Sequence, residues 1–175
     1  QLLLNSNDII NNQTYIQQYP SLYKFEKLSD RQEKIIRCVK SPELISEYFH
    51  QVAVNPTLLE ALSALLGDSL RLERIKIHFK PAYHGSAVNW HQDWAYQPYT
   101  NDNVIMVCLY IDDCTLDNAP IYCIPGSHHG PVYSHAQDGV FSGFIKEDEL
   151  SSIRDSAVPL LASKGSVSFH HYRTL

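Results

Sequence analysis

Ser69-Leu70-Arg71-Leu72-Glu73-Arg74-Ile75-Lys76-Ile77-His78-Phe79-Lys80-Pro81 is where this chain changes its period. Upstream, apolar residues recur every three or four positions. Here Leu70, Leu72, Ile75, Ile77 and Phe79 move toward alternation, which places every second side chain on one face of a strand. Downstream the strand signals continue. Residues 104–111 (VIMVCLYI) form an unbroken β-rich run, expected of a strand covered on both faces. Ile121 to Ile124 reads as a short strand ended by Pro125-Gly126, and Gly165 precedes a final strand.

Working back from Ser69, residues 1–66 read as mostly helical. Ser29-Asp30, with Glu33 at capping-box spacing, suits one helix start. Ser41-Pro42-Glu43 suits a second, followed by Leu44, Ile45, Tyr48, Phe49 and Val52 at helical spacing. Asn55-Pro56 opens a third, with Leu58, Leu59, Leu62, Leu65 and Leu66 as its apolar face and Gly67-Asp68 at its end. Lys24, Lys27, Arg31 and Lys34 also recur at helical spacing, interleaved with Glu26, Asp30 and Glu33, as on a solvated helix with internal ion pairs. Helices followed by short strands give an α+β, mainly β class with an antiparallel barrel or sandwich core. We expect a single domain over residues 1–175, helical through 1–68 and β from 69–175. The chain stops at Leu175 directly after an apolar, aromatic stretch, so its C-terminal end reads as incomplete.

The 175 residues carry 44% apolar and 19% charged side chains, enough for one real core. A net charge of −5 argues against a general nucleic-acid binder. No apolar run reaches membrane-spanning length, and no basic, then apolar, secretory leader is seen. Cys38, Cys108, Cys114 and Cys123 form no CxxC pair, which fits reduced thiols in a cytoplasmic setting better than disulfides or structural zinc. Asn12-Gln13-Thr14 matches a glycosylation acceptor by accident in this setting. Nothing in the sequence sets the oligomeric state.

Chemistry concentrates at His91-Gln92-Asp93. In extended backbone an imidazole and a carboxylate two residues apart project to one side. Such a pair is half of a 2-His-1-carboxylate iron site, whose three protein ligands leave positions open for small molecules. Alone, H-x-D is a weak signal; its flanks strengthen it. Trp90-His91-Gln92-Asp93, then Asn118-Ala119-Pro120 running into Ile124-Pro125-Gly126-Ser127-His128, then Gly165-Ser166-Val167-Ser168-Phe169-His170-His171, together resemble the phytanoyl-CoA dioxygenase family. The resemblance covers roughly residues 70–175.

That resemblance implies a double-stranded β-helix (jelly roll, cupin-like) core and an Fe(II)- and 2-oxoglutarate-dependent dioxygenase. Its partners would be dioxygen and a small-molecule or acyl substrate hydroxylated at a C–H bond. It also implies that His91 and Asp93 are metal ligands, Asp93 favouring oxygenation over halogenation. Gln92 occupies a position that is polar in the family, and it joins Tyr110 and Lys76 as the cosubstrate-binding set. Lys76 is one choice among Arg74, Lys76 and His78, which alternate on one strand. The Tyr110 hydroxyl could donate to a cosubstrate carboxylate or pack in the core. The distal histidine is expected immediately after Leu175 and the cosubstrate arginine further on; His170 or His171 is the fallback ligand, and a strand-end histidine is the plainer reading of both. Trp94, Tyr96, Gln97 and Tyr99 would border the substrate pocket. Ala119 stands where the family usually has glycine. Pro125-Gly126-Ser127-His128 reads as a turn, with His129 and His135 as solvated loop residues. The rivals are a non-catalytic jelly-roll pseudoenzyme or metal-dependent binding module, and a cupin-type oxygenase that does not use 2-oxoglutarate.

Overall fold

Side chains with short polar arms set the helix starts of the N-terminal half. In the computed structural model, which describes residues 11–26 and 35–175, helix α1 (Gln13–Gln18) begins where the Asn12 side chain accepts from the Thr14 amide at 2.9 Å. Helix α2 (Glu47–Ala53) is capped by the Ser46 hydroxyl. Helix α3 (Pro56–Leu66) is capped by Asn55, with Pro56 in the first turn, where a missing N–H costs nothing. The third helix therefore starts and stops where its sequence indicates. The second does not start at Ser41. Ser41 takes a left-handed φ of 46°, Pro42–Leu44 makes one tight turn, and the helix restarts at Ser46.

The mostly helical reading of residues 1–66 needs a larger correction. Strands β1 (Tyr23–Phe25) and β2 (Ile36–Lys40) lie inside it and pair antiparallel, and β2 pairs antiparallel with β3 (Lys76–His78). Cys38 stands opposite both Lys24 and His78. Lys24, read as part of a basic helix face, lies on β1. The Ser29-Asp30 start with Glu33, and Lys27, Arg31 and Lys34, lie outside the described residues. By its contacts the chain divides into two compact units, residues 1–86 and 87–175. In the first, Tyr23, Cys38, Val39, Phe49 and Ile77 are the buried apolar residues. Glu26 is buried with them, paired with Arg37 at 3.4 Å and accepting hydrogen bonds from the Ser86 amide and hydroxyl.

In the second unit, strand β4 (Ile105–Leu109) pairs antiparallel with β9 (Val167–His171), placing Met106 opposite His170 and Cys108 opposite Ser168. Cross-strand partners share a face, so Met106, Cys108, Ser168 and His170 lie on one side and His171 on the other. Strand β5 (Tyr122–Cys123) pairs with β8 (Val158–Pro159). Strands β6 (Ala136–Gln137) and β7 (Val140–Phe141) form a hairpin through Asp138-Gly139, both at positive φ, as a primed two-residue turn requires. Ile124, Ile145, Leu150 and Leu175 make the core, with Trp90, Tyr133 and Ile153 packed against it. The 104–111 run forms a strand as expected, yet β4 has one strand partner among the described residues and Leu109 is exposed. The described strands form a mixed helix-and-sheet architecture without a closed barrel. No helix among the described residues is long and apolar enough to cross a membrane.

Candidate active site

The His91-Gln92-Asp93 segment is not in a strand. Gln92 is extended (φ −111°, ψ 130°), and Asp93 opens a single helical turn, Asp93–Tyr96. One extended residue between them is enough to bring the His91 ring and the Asp93 carboxylate to the same side, with His91 Nε2 3.7 Å from Asp93 Oδ1. What holds an irregular segment in that shape is Gln92. Its side chain is fully buried, and its carboxamide donates to the carbonyls of Pro131 (3.1 Å) and Arg173 (2.8 Å) while accepting from the Tyr133 amide (2.9 Å). The Gln92 backbone N–H donates to His135 Nε2 at 2.8 Å. His135 Nδ1 in turn lies 2.9 Å from the Tyr133 carbonyl, so that nitrogen carries the proton and the ring is neutral. The expectation that His135 is a solvated loop residue is therefore wrong: it is 4% exposed, and burial, with His91 nearby, pushes its pKa down.

His91 meets a metal's requirement on tautomer. Its Nδ1 sits 2.8 Å from the Asn89 carbonyl and donates to it, so that in the neutral ring the electron pair lies on Nε2. A backbone acceptor behind the ligating ring is the usual way in which a metal histidine is oriented. A neutral His91 would then present Nε2, and ionised Asp93 its Oδ1, as two electron-pair donors on one side, which suits a cation. Burial alone would raise the Asp93 pKa, but the imidazoles of His170 and His91 outweigh it and hold the carboxyl far below its ordinary range. Asp93 is an anion at every physiological pH. The two residues thus fit a divalent metal by donor chemistry. Among the described residues no set of three His, Cys, Asp or Glu side chains encloses a metal by itself.

A third imidazole stands on the far side of the acid. His170 Nε2 is 3.9 Å from Asp93 Oδ2, delivered there by the β9 register, while His171 faces away and its ring lies 5.4 Å from that of His128. Sequence reading gives His170 and His171 the same standing; strand alternation separates them. On the same face, the negative charge of Asp93 and burial push the Cys108 thiol up to about 11, burial being the larger cause. Tyr110 continues this face, its hydroxyl 3.0 Å from Ser168 Oγ, and burial raises its pKa so that it stays protonated. Tyr110 and Ser168 line an open cleft of about 790 Å³, together with Cys114, Leu160, Ala162 and Ser166.

Aromatic rings border the pair. Tyr96 stands edge-on to His91 with centroids 5.6 Å apart, touches Phe141 of the β6–β7 hairpin edge-on, and donates its hydroxyl to the Gly143 carbonyl. Gly143 has φ +77°, and a Cβ there would lie 2.7 Å from the Tyr96 hydroxyl, so this approach requires glycine. Trp94 and Tyr99 neighbour each other at 6.3 Å. Lys76 lies on β3, in the first unit, exposed and opposite Lys40, with His78 and Arg74 on or beside the same strand. Pro125-Gly126-Ser127-His128 does form a turn: Gly126 is left-handed and Ser127 Oγ accepts from the Leu175 amide at 2.9 Å.

The family model for phytanoyl-CoA dioxygenase matches residues 12–175. The chain belongs to the phytanoyl-CoA dioxygenase family. Among relatives of this family member, a probable alpha-ketoglutarate-dependent hypophosphite dioxygenase of Stutzerimonas stutzeri is 34% identical over 157 residues, covering 87% of this chain and 54% of that protein. An L-proline trans-4-hydroxylase of Streptomyces griseoviridis is 31% identical over 81 residues, 44% of this chain and 30% of its own length. EctD from S. alaskensis, crystallised with 2-oxoglutarate and 5-hydroxyectoine, superposes with a TM-score of 0.79 at 18% identity, over 99% of this chain and 58% of that one. That likeness is one of fold. The chain spans about half the length of the curated relatives it matches.

Proposed function

We propose that this family member is an Fe(II)- and 2-oxoglutarate-dependent dioxygenase that hydroxylates a small-molecule or acyl substrate at a C–H bond. The observation that carries the reading is the pairing of His91 Nε2 with Asp93 Oδ1 at 3.7 Å, with His91 Nδ1 turned to the Asn89 carbonyl, in a chain of this family. The relatives support it by their printed activities, hypophosphite dioxygenase and proline hydroxylase among them. The jelly roll is part of the same proposal: the paired strands of residues 87–175 are taken as a portion of that core. One family match running from 12 to 175 supports a single oxygenase-type domain. Four free cysteines support a reducing, cytoplasmic setting.

His91 and Asp93 would hold the metal. When bound, iron with 2-oxoglutarate supplies the activation of dioxygen, the cosubstrate leaving as succinate and CO2. The remaining work falls to the chain. The Asn89 carbonyl orients His91, and the buried Gln92 carboxamide, with His135 behind its amide, fixes the backbone between the two ligands. Gln92 therefore serves as a brace; its carboxamide hydrogens are already given to protein carbonyls, so a cosubstrate contact through them does not fit. Tyr110, protonated and hydrogen-bonded to Ser168, offers its hydroxyl toward a carboxylate in the cleft that both residues line. A contact from Lys76, Arg74 or His78 rests on the resemblance. Trp94, Tyr96 and Tyr99 would shield the reacting centre from water.

Succinate release with added Fe(II), ascorbate and 2-oxoglutarate, over a substrate panel that includes hypophosphite, proline and ectoine, tests this. Coupled succinate and oxidised product are expected for one class of compound. Metal uptake without turnover on any substrate would favour a binding module. Oxygenation without succinate would favour the cupin-type rival.

A further inference from the structure

Asp93 presents two oxygens, and only one of them faces His91. The other, Oδ2, faces His170 Nε2 at 3.9 Å. The role of His170 turns on where its proton sits. His170 Nδ1 is buried and has no hydrogen-bond partner among the described residues. If Nε2 bound a metal, the neutral ring would carry its proton on Nδ1, stranding a buried N–H without an acceptor, one of the rarer and costlier arrangements in a folded protein. With the proton on Nε2, the orphan at Nδ1 is an electron pair, which is better tolerated, and the N–H points at a carboxylate.

We propose that His170 is a positioning residue: it donates Nε2–H to Asp93 Oδ2, holding the carboxylate so that Oδ1 alone is turned toward His91 and the metal. The inference rests on the metal role of His91 and Asp93 given above and goes beyond it, because it assigns a task to a histidine outside the expected ligand set. At 3.9 Å the pair is longer than a hydrogen bond, and the donation calls for the two groups to close by about 1 Å. The positions are built for it. β9 presents His170 on the Asp93 side through its register with β4, and the Trp94 amide, one residue beyond Asp93, donates to the Tyr172 carbonyl at 2.9 Å, two residues beyond His170. The segment bearing the acid is therefore fastened to the end of the strand bearing the imidazole. Fixing a carboxylate ligand from behind typically changes metal affinity by about 10- to 100-fold.

The test uses the intact protein in two arms. In the metal-free arm, 15N shifts of the imidazole nitrogens report the His170 tautomer: the Nε2–H form is expected, and the Nδ1–H form overturns the proposal. In the second arm, Co(II) affinity is measured for wild type, Asp93→Ala, His170→Ala and His170→Gln. His170→Ala should weaken binding about 10- to 100-fold, and His170→Gln, whose amide N–H also donates, should recover most of it. Unchanged affinity in His170→Ala, or a glutamine variant as weak as alanine, overturns the proposal, the latter because glutamine replaces a donor but not an imidazole ligand. Wild type that takes up no Co(II) counts against the metal reading itself, and the tautomer arm then still decides whether His170 donates to Asp93.

Discussion

Glu26, in the first unit, and Asp93, in the second, are both carboxylates drawn into the protein beside cationic or neutral nitrogen donors, and their surroundings differ in one respect. Glu26, with its side chain 2% exposed, accepts from the Ser86 amide and hydroxyl and pairs with the Arg37 guanidinium at 3.4 Å. Protein donors have met its oxygens. Asp93, 26% exposed, looks at two imidazole nitrogens that stand off at 3.7 and 3.9 Å. Both carboxyls titrate low. For Glu26 burial opposes the shift and Ser86 and Arg37 prevail; for Asp93 burial opposes it and His170 and His91 prevail. A low pKa therefore does not by itself distinguish a structural acid from a functional one. Glu26 is bound into the fold by Ser86 and Arg37, whereas Asp93 is the acid to which the proposed function gives the metal.

Exchange of the two acids for neutral residues should separate these roles. The largest effect is expected from Asp93→Ala: succinate formation falls to background. Turnover by that variant in an iron-dependent assay would remove Asp93 from the ligand set. Gln92→Ala comes next and joins both properties, because it orphans two carbonyls and an amide in a fully buried place. A loss of about 3 kcal/mol in urea unfolding is expected, with weakened metal uptake; a change below about 1 kcal/mol would mean that the segment is held by other contacts. Glu26→Gln should cost about 1 kcal/mol, since Arg37 is partly exposed and the pair is screened, and should leave activity untouched. Its pH dependence has a defined sign. The folded pKa of Glu26 lies below the ordinary 4.5, so its contribution is full above that value and is lost as pH falls through the folded pKa. Wild type and Glu26→Gln should therefore differ in stability near neutrality and converge in acid.

Much of this was legible beforehand. Asn55-Pro56, Gly67 and the alternation of residues 167–171 carry local rules strong enough to fix their elements, and all three stand where expected. His91 and Asp93 come together because one extended residue suffices. Strands β1 and β2 were hidden because three to five residues hold too little periodicity to outvote neighbouring helical spacing; pairing with distant β3 decides them. His135 and His170 were hidden for a related reason. Each reaches the His91-Gln92-Asp93 segment from more than 40 residues away, and only strand register and loop closure make that visible. Ala119 shows the opposite case, a departure noticed in the sequence whose cost the structure supplies. It sits at φ 58°, ψ 65°, directly after the turn in which Asn118 and Thr115 cap each other. A left-handed alanine is strained by about 1–2 kcal/mol, partly offset by the greater flexibility of glycine when unfolded. The smallest predicted effect is therefore a gain of about 0.5–1 kcal/mol for Ala119→Gly, read from the unfolding midpoint; a loss would mean that the side chain packs better than its backbone suggests.

The brace at Gln92 also has a bearing on biogenesis. It draws hydrogen-bond partners from Pro131, Tyr133, His135 and Arg173, the last separated from it by 81 positions. Loops of that span close slowly. During synthesis the histidine and the acid would leave the ribosome long before the stretches that align them, and they would remain poor scavengers of stray cations until Arg173 has followed. If the two residues hold metal as proposed, the topology would defer binding competence until Arg173 has been made.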